Sequence, residues 1–200
     1  MTSAIAFDRR RALCLALAAA ADLGTSIPAQ AAEAAGRAPS TGDPRRDFDF
    51  VFGTWRARHR RLKERLANSS EWIEFGGTSV GQSLMNGVAN MDDNILEMPG
   101  GTYRGVSLRC FDPAAGKWAI WWLDERYPHT VDVPVIGGFE NGIGTFLCDD
   151  TLRGKPIKVR YLLTPLTPAT RRWEQAFSPD GGQTWETNWI THFERAAITS

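Results

Sequence analysis

From residue 47 onward the chain never sustains a helical period. It breaks into short runs in which apolar and polar residues alternate, separated by clusters of Gly, Pro, Asn and Asp. Ten such runs can be read: Trp55 to Leu66, Glu71 to Gln82, Gly87 to Leu96, Tyr103 to Phe111, Lys117 to Glu125, Val131 to Glu140, Ile143 to Asp149, Pro156 to Thr164, Arg171 to Ser178 and Thr184 to Arg195. The residues between them are turn formers. Asn141-Gly142 suits a two-residue hairpin in which both central positions take positive φ. Arg153-Gly154, Asp112-Pro113-Ala114-Ala115-Gly116 and Pro179-Asp180-Gly181-Gly182 close three more hairpins. Strands joined by such short loops are antiparallel neighbours, and ten in a row leave two open edges unless the sheet closes on itself. The expected fold class is therefore all-β: a closed antiparallel up-and-down barrel of about ten strands, in sequence order.

The N-terminus reads as a targeting segment. Arg9-Arg10-Arg11 precede an apolar stretch from Ala12 to Ala21, and Ala29-Gln30-Ala31 fits a small-residue cleavage site. The apolar stretch is too short to span a bilayer, which takes about 20 residues. Residues 1–31 are expected to be a signal peptide, 32–46 a disordered linker, 47–195 the barrel domain and 196–200 a tail. The expected location is periplasmic or secreted, with no membrane insertion after cleavage; the arginines permit either ordinary or twin-arginine export. Removing residues 1–31 takes away Arg9, Arg10, Arg11, Asp8 and Asp22 and leaves 20 basic against 21 acidic residues. A domain that close to neutral offers no electrostatic case for nucleic acid as a partner. Cys14 falls in the discarded segment. Cys110 and Cys148 lie on strands that would not touch in an up-and-down barrel, so two buried free thiols are expected rather than a disulfide.

Phe48-Asp49-Phe50-Val51-Phe52-Gly53-Thr54-Trp55 opens the first strand with Gly-x-Trp, and Arg195 closes the last. This pattern resembles the calycin group of barrels, which includes lipocalins and fatty-acid-binding proteins. The resemblance implies that Gly53 and Trp55 mark the closed end and that Arg195 packs across the indole. The segments Trp55-Arg56-Ala57-Arg58-His59-Arg60-Arg61-Leu62-Lys63 and Trp173-Glu174-Gln175-Ala176-Phe177-Ser178-Pro179-Asp180-Gly181-Gly182 extend the likeness, over about residues 47–195, to a bacterial calycin-like family of unknown function. That resemblance implies a fold and no activity. Ser178-Pro179-Asp180-Gly181-Gly182-Gln183-Thr184-Trp185 matches the Asp-box pattern of sialidases. A single copy reads as a structural clamp on a hairpin, with Asp180 bonding its own turn and Gly182 taking a strained position.

Strand parity places the candidate site. If Trp55 points inward, Ala57, His59, Arg61 and Lys63 share its face, and Arg56, Arg58 and Arg60 face solvent. A charge inside a barrel needs a partner or a bound anion. For Arg61 that is either Glu74 on the next strand or a ligand carboxylate. The chain has 8 Trp; packing accounts for at least half, and Trp122, Trp173 and Trp189 are candidates to line a ligand wall, with Tyr161 and Gln175 orienting a polar end. Counting back from Arg195 turns Trp189 and Phe193 inward and His192 outward.

These residues suggest a barrel that binds a small, mostly apolar molecule with an anionic or hydrogen-bonding end. His59, His129 and His192 are too scattered for a zinc site, and no phosphate loop or nucleophile elbow occurs, so no metal or cofactor is assigned. Two alternatives remain. One is an isomerase, cyclase or lyase using His59 or Asp124 as acid or base. The other is a haem protein, because His192 near the end of the last strand is similar in place to the haem-ligating histidine of nitrobindin-like barrels.

Overall fold

The computed structural model describes residues 42–197. Ten antiparallel strands form one closed barrel in up-and-down order: β1 (Gly53–Leu62), β2 (Trp72–Leu84), β3 (Ala89–Met98), β4 (Gly101–Asp112), β5 (Lys117–Asp124), β6 (Val135–Glu140), β7 (Ile143–Leu152), β8 (Lys155–Thr167), β9 (Thr170–Ser178) and β10 (Glu186–Arg195). The barrel shuts where β1 pairs with β10, from Trp55 opposite Arg195 to Arg61 opposite Trp189. The expected signal peptide, its cleavage site and residues 198–200 of the tail lie outside the described residues.

The hairpins follow their turn residues. Asn141 and Gly142 adopt φ of 50° and 80°, and Arg153 and Gly154 adopt 53° and 75°, the left-handed pair that matches strand twist. Asp112 caps its turn by accepting from the Ala114 and Ala115 N–H groups. The Asp-box segment is a clamp. Ser178 Oγ donates to Asp180 at 2.7 Å and accepts the Gly182 N–H at 2.8 Å. Thr184 donates to Asp180 through both its N–H and its hydroxyl, and the Trp185 indole donates to the Gly182 carbonyl.

Three expectations need correction. β1 stops at Leu62 rather than Leu66, so Lys63 leaves the inner face and pairs with Glu71 at 3.1 Å in the loop that follows. β6 begins at Val135, and of the four residues before it only Val131 bridges to β5, at Leu123. The last residues of the expected linker are ordered: Asp43 caps a 3-10 turn at Pro44–Arg46, and the Trp118 indole donates to the Pro44 carbonyl at 3.1 Å. Cys110 and Cys148 are both free and half-buried; β4 turns Cys110 outward and β7 turns Cys148 inward.

Residues 44–52 close one end. Phe48 and Val51 have no exposed surface, and Phe48 meets Trp118 and Phe139 edge-on at 4.8 and 5.1 Å. Trp55 is 1% exposed and donates to the Val51 carbonyl at 2.9 Å. Arg195 stacks over that indole at 4.2 Å and donates to the Phe52 carbonyl. Gly53, at φ 94°, turns the chain from this plug into β1.

Candidate functional site

The register fixes which side chains enter the barrel. On β1 these are Trp55, Ala57, His59 and Arg61; on β10 they are Trp189, Thr191 and Phe193. A bulge between Thr187 and Trp189 lies beyond this stretch and leaves its parity intact. Trp122, Cys148, Tyr161, Trp173 and Trp189 all point inward from strands that pair on both sides, yet each is only half-buried. Their uncovered surface therefore lies on the inner side of the barrel wall. The rings stand at steep angles to one another: Tyr161 meets Trp173 at 70° and 5.0 Å, and Trp173 meets Trp189 at 83° and 5.7 Å. Gly105 lets the Trp122 indole lie along the wall, because a Cβ there would sit 2.1 Å from the ring.

His59 is 8% exposed and tightly held. Phe75 stacks on it at 4.6 Å, its Nδ1 lies 2.8 Å from Thr191 Oγ1, and the Trp189 indole donates to the same nitrogen at 3.3 Å. An Nδ1 that accepts from the indole leaves the ring proton on Nε2. Burial, reinforced by the charge of Arg61, lowers its pKa from 6.5 to about 4. His59 is thus a neutral donor at ordinary pH. Gln175, on β9 opposite Trp189, faces the lumen and donates to Asn188 at 2.8 Å.

Arg61 lies nearer the open end, with its guanidinium over Trp189 at 5.2 Å. Its Nε is shielded from solvent and has no hydrogen-bond partner, and no carboxylate pairs with it among the described residues. Burial lowers its pKa, and Arg126 adds to this, but an arginine remains charged. The expected partner Glu74 is a correction. It sits opposite Arg60 in the register, on the outer face, and pairs with Arg60 at 3.0 Å. Asp124 points inward but is gripped by Arg126 at 2.9 and 2.6 Å. Burial would raise its pKa, and these bonds outweigh that and lower it.

His192 is exposed on the outside, opposite Arg58 and Arg172, so it cannot ligate a haem within the barrel. Among the described residues no cluster of His, Cys, Asp and Glu could hold a metal ion.

Sequence reading missed a charged floor beneath the lumen. Asp92, Arg109 and Arg171 are 3%, 4% and 4% exposed. Asp92 pairs with Arg109, which also donates to Asn90 at 3.0 Å. Ser79 links Asp92 to Arg171 by two bonds of 3.4 Å. Burial would raise the Asp92 pKa, but the two guanidiniums hold it down, and burial lowers that of Arg171 to about 10. The excess positive charge rests on aromatic faces: Arg171 over Phe193 at 4.0 Å and Trp55 at 4.8 Å, Arg109 over Phe48 at 5.0 Å.

No protein-family model and no curated protein sequence matches the chain. Among solved structures, it is similar to the S-type phycobiliprotein lyase CPES from Guillardia theta: 10% identity, 75% of this chain and 90% of that one covered, TM-score 0.50. The barrel EF1p2_mFAP2b bound to DFHBI aligns at 11% identity over 77% of this chain and all of that one, with a TM-score of 0.42. At such identities the likeness concerns the fold, which is that of a calycin-like barrel.

Proposed function

We propose that the protein is an exported carrier or receptor whose lumen binds a small, mostly apolar molecule, with the molecule's anionic end at Arg61 and a hydrogen-bond acceptor of the ligand on His59 Nε2. The observation that carries this is the Arg61 guanidinium: it faces the lumen, its Nε is shielded from water, and no carboxylate pairs with it among the described residues. An inward cation without a partner is costly in an empty barrel and favourable once an anion reaches it. The half-buried indoles supply apolar surface for the body of the ligand. Export rests on the N-terminal sequence pattern alone.

The test is native mass spectrometry of protein purified from its source, beside Arg61→Met. The proposal expects one retained organic acid per barrel and its loss from the variant. An acid retained equally by both would place the binding elsewhere.

A further inference from the structure

The loop between β1 and β2, residues 63–71, folds over the open end of the barrel. Leu66 packs against the core cluster that includes Phe177, and its N–H donates to Glu186 at 2.8 Å. Outside, Arg153 holds the loop through Glu64 at 2.6 Å and the Arg65 carbonyl at 3.2 Å. Leu66 and Asn68 take φ of 50° and 53°, a conformation that non-glycine residues hold only against strain. The loop thus has an apolar plug, three polar latches and two strained positions.

Between the latches the loop turns one charge inward. The Arg65 guanidinium lies over Phe177 at 5.6 Å, as that of Arg61 lies over Trp189 at 5.2 Å. Trp189 faces Gln175 across the β9–β10 pairing, and Phe177 is the next inward residue of β9, so the two cations occupy adjoining places at the same end. Burial lowers the pKa of Arg65, and the charge of Arg61 adds to this. Three carboxylates at this end have partners of their own: Asp124 is held by Arg126, Glu186 accepts the Leu66 N–H, and Glu64 pairs with Arg153.

Resting on the lumen reading above, we infer that Arg65 is a second binding residue for the ligand's anionic group, so that the loop is a lid closed by the ligand's own charge, and that the ligand is an aromatic acid. A carboxylate or sulfonate between two guanidiniums satisfies both. The steeply inclined rings of Tyr161, Trp173 and Trp189 offer edges and faces to a flat ring. Once bound, the acid ties the loop to β1; without it, two like charges face each other under the lid.

The experiment titrates 1-anilinonaphthalene-8-sulfonate, and the related uncharged probe N-phenyl-1-naphthylamine, into the mature protein and into Arg61→Met, Arg65→Met and Arg65→Lys. Hydrogen exchange of residues 63–71 is followed with each probe. Arg65→Met is expected to weaken sulfonate binding about tenfold, as loss of one charge-assisted contact does, and to leave the neutral probe within about twofold. Arg65→Lys should recover most of the loss. Exchange in the loop should slow with the sulfonate in the native protein and not in Arg65→Met. Weakening by Arg61→Met alone, with Arg65→Met unchanged, overturns the lid and leaves the lumen reading standing. No effect from either arginine overturns both.

Discussion

Asp92→Asn should be the most damaging near-isosteric change in this barrel. Asparagine preserves the shape of Asp92 but removes the carboxylate that compensates Arg109 and Arg171. The Asp92 and Arg109 side chains are each 5% exposed. Neither Nε, on Arg109 or Arg171, has a hydrogen-bond partner, so no spare acceptor takes over. The buried excess rises from one positive charge to two. Breaking a buried pair in this way costs about 3–5 kcal/mol, a large part of the roughly 5–15 kcal/mol that stabilises a typical domain. With a urea slope of about 1–3 kcal/mol per molar, the midpoint should fall by more than about 1 M. Arg109→Met in the same background should recover part of the loss, because it removes the cation that Asp92 paired. A change below about 1 kcal/mol would instead mean that the aromatic faces suffice for both guanidiniums. The pH dependence follows from the same pair. The folded pKa of Asp92 is held below its unfolded value of 3.8, so its contribution is present above that value and is lost as pH falls through the lower, folded pKa.

Other outcomes follow. The His59 pKa drops from 6.5 to about 4 on folding, so the unfolded chain takes up the proton first. Stability should then fall by about 3 kcal/mol between those pH values, and acid titration of His59→Gln should lack that slope. Trp55→Ala, which removes a buried indole held by Val51, Arg195 and Arg171, should cost about 3–5 kcal/mol in denaturant melts; a loss below about 1 kcal/mol contradicts its burial. Gly105→Ala pushes on the Trp122 ring and should cost about 1–3 kcal/mol while changing the near-ultraviolet circular dichroism. N-terminal sequencing of exported protein should begin at Ala32; an intact Met1 contradicts the processing site.

The barrel was legible because two periodicities agree. Turn residues fix where each strand ends, and inward-outward alternation fixes which side chains meet. That parity put His59 and Trp189 inside and His192 outside, and it survived because the β10 bulge falls on the far side of Trp189. Glu74 was misplaced because the exact register is set by the whole ladder: Arg61 stands opposite Ile73, and Glu74 falls beside Arg60. Arg65 was read as part of β1, whereas the strand stops at Leu62 and the loop carries Arg65 back over the lumen. The charged floor was invisible for a different reason. Asp92, Arg109 and Arg171 are far apart in sequence, and alternation misleads around them: Arg109 stands between Leu108 and Cys110 yet is buried while Leu108 is exposed, and Arg171 is flanked by the polar Thr170 and Arg172. The pairing of β3 and β4, with Asn90 opposite Arg109 and Asp92 opposite Ser107, is what brings two of them together.

Whether the lumen holds an acid at Arg61 can be seen in a crystal structure of the mature protein soaked with 1-anilinonaphthalene-8-sulfonate. The sulfonate is predicted within hydrogen-bond distance of Arg61, with the rings among Trp122, Trp173 and Trp189. Density for the probe only on the outer wall, where Leu108, Leu123, Ile136 and Leu147 are exposed, would contradict it.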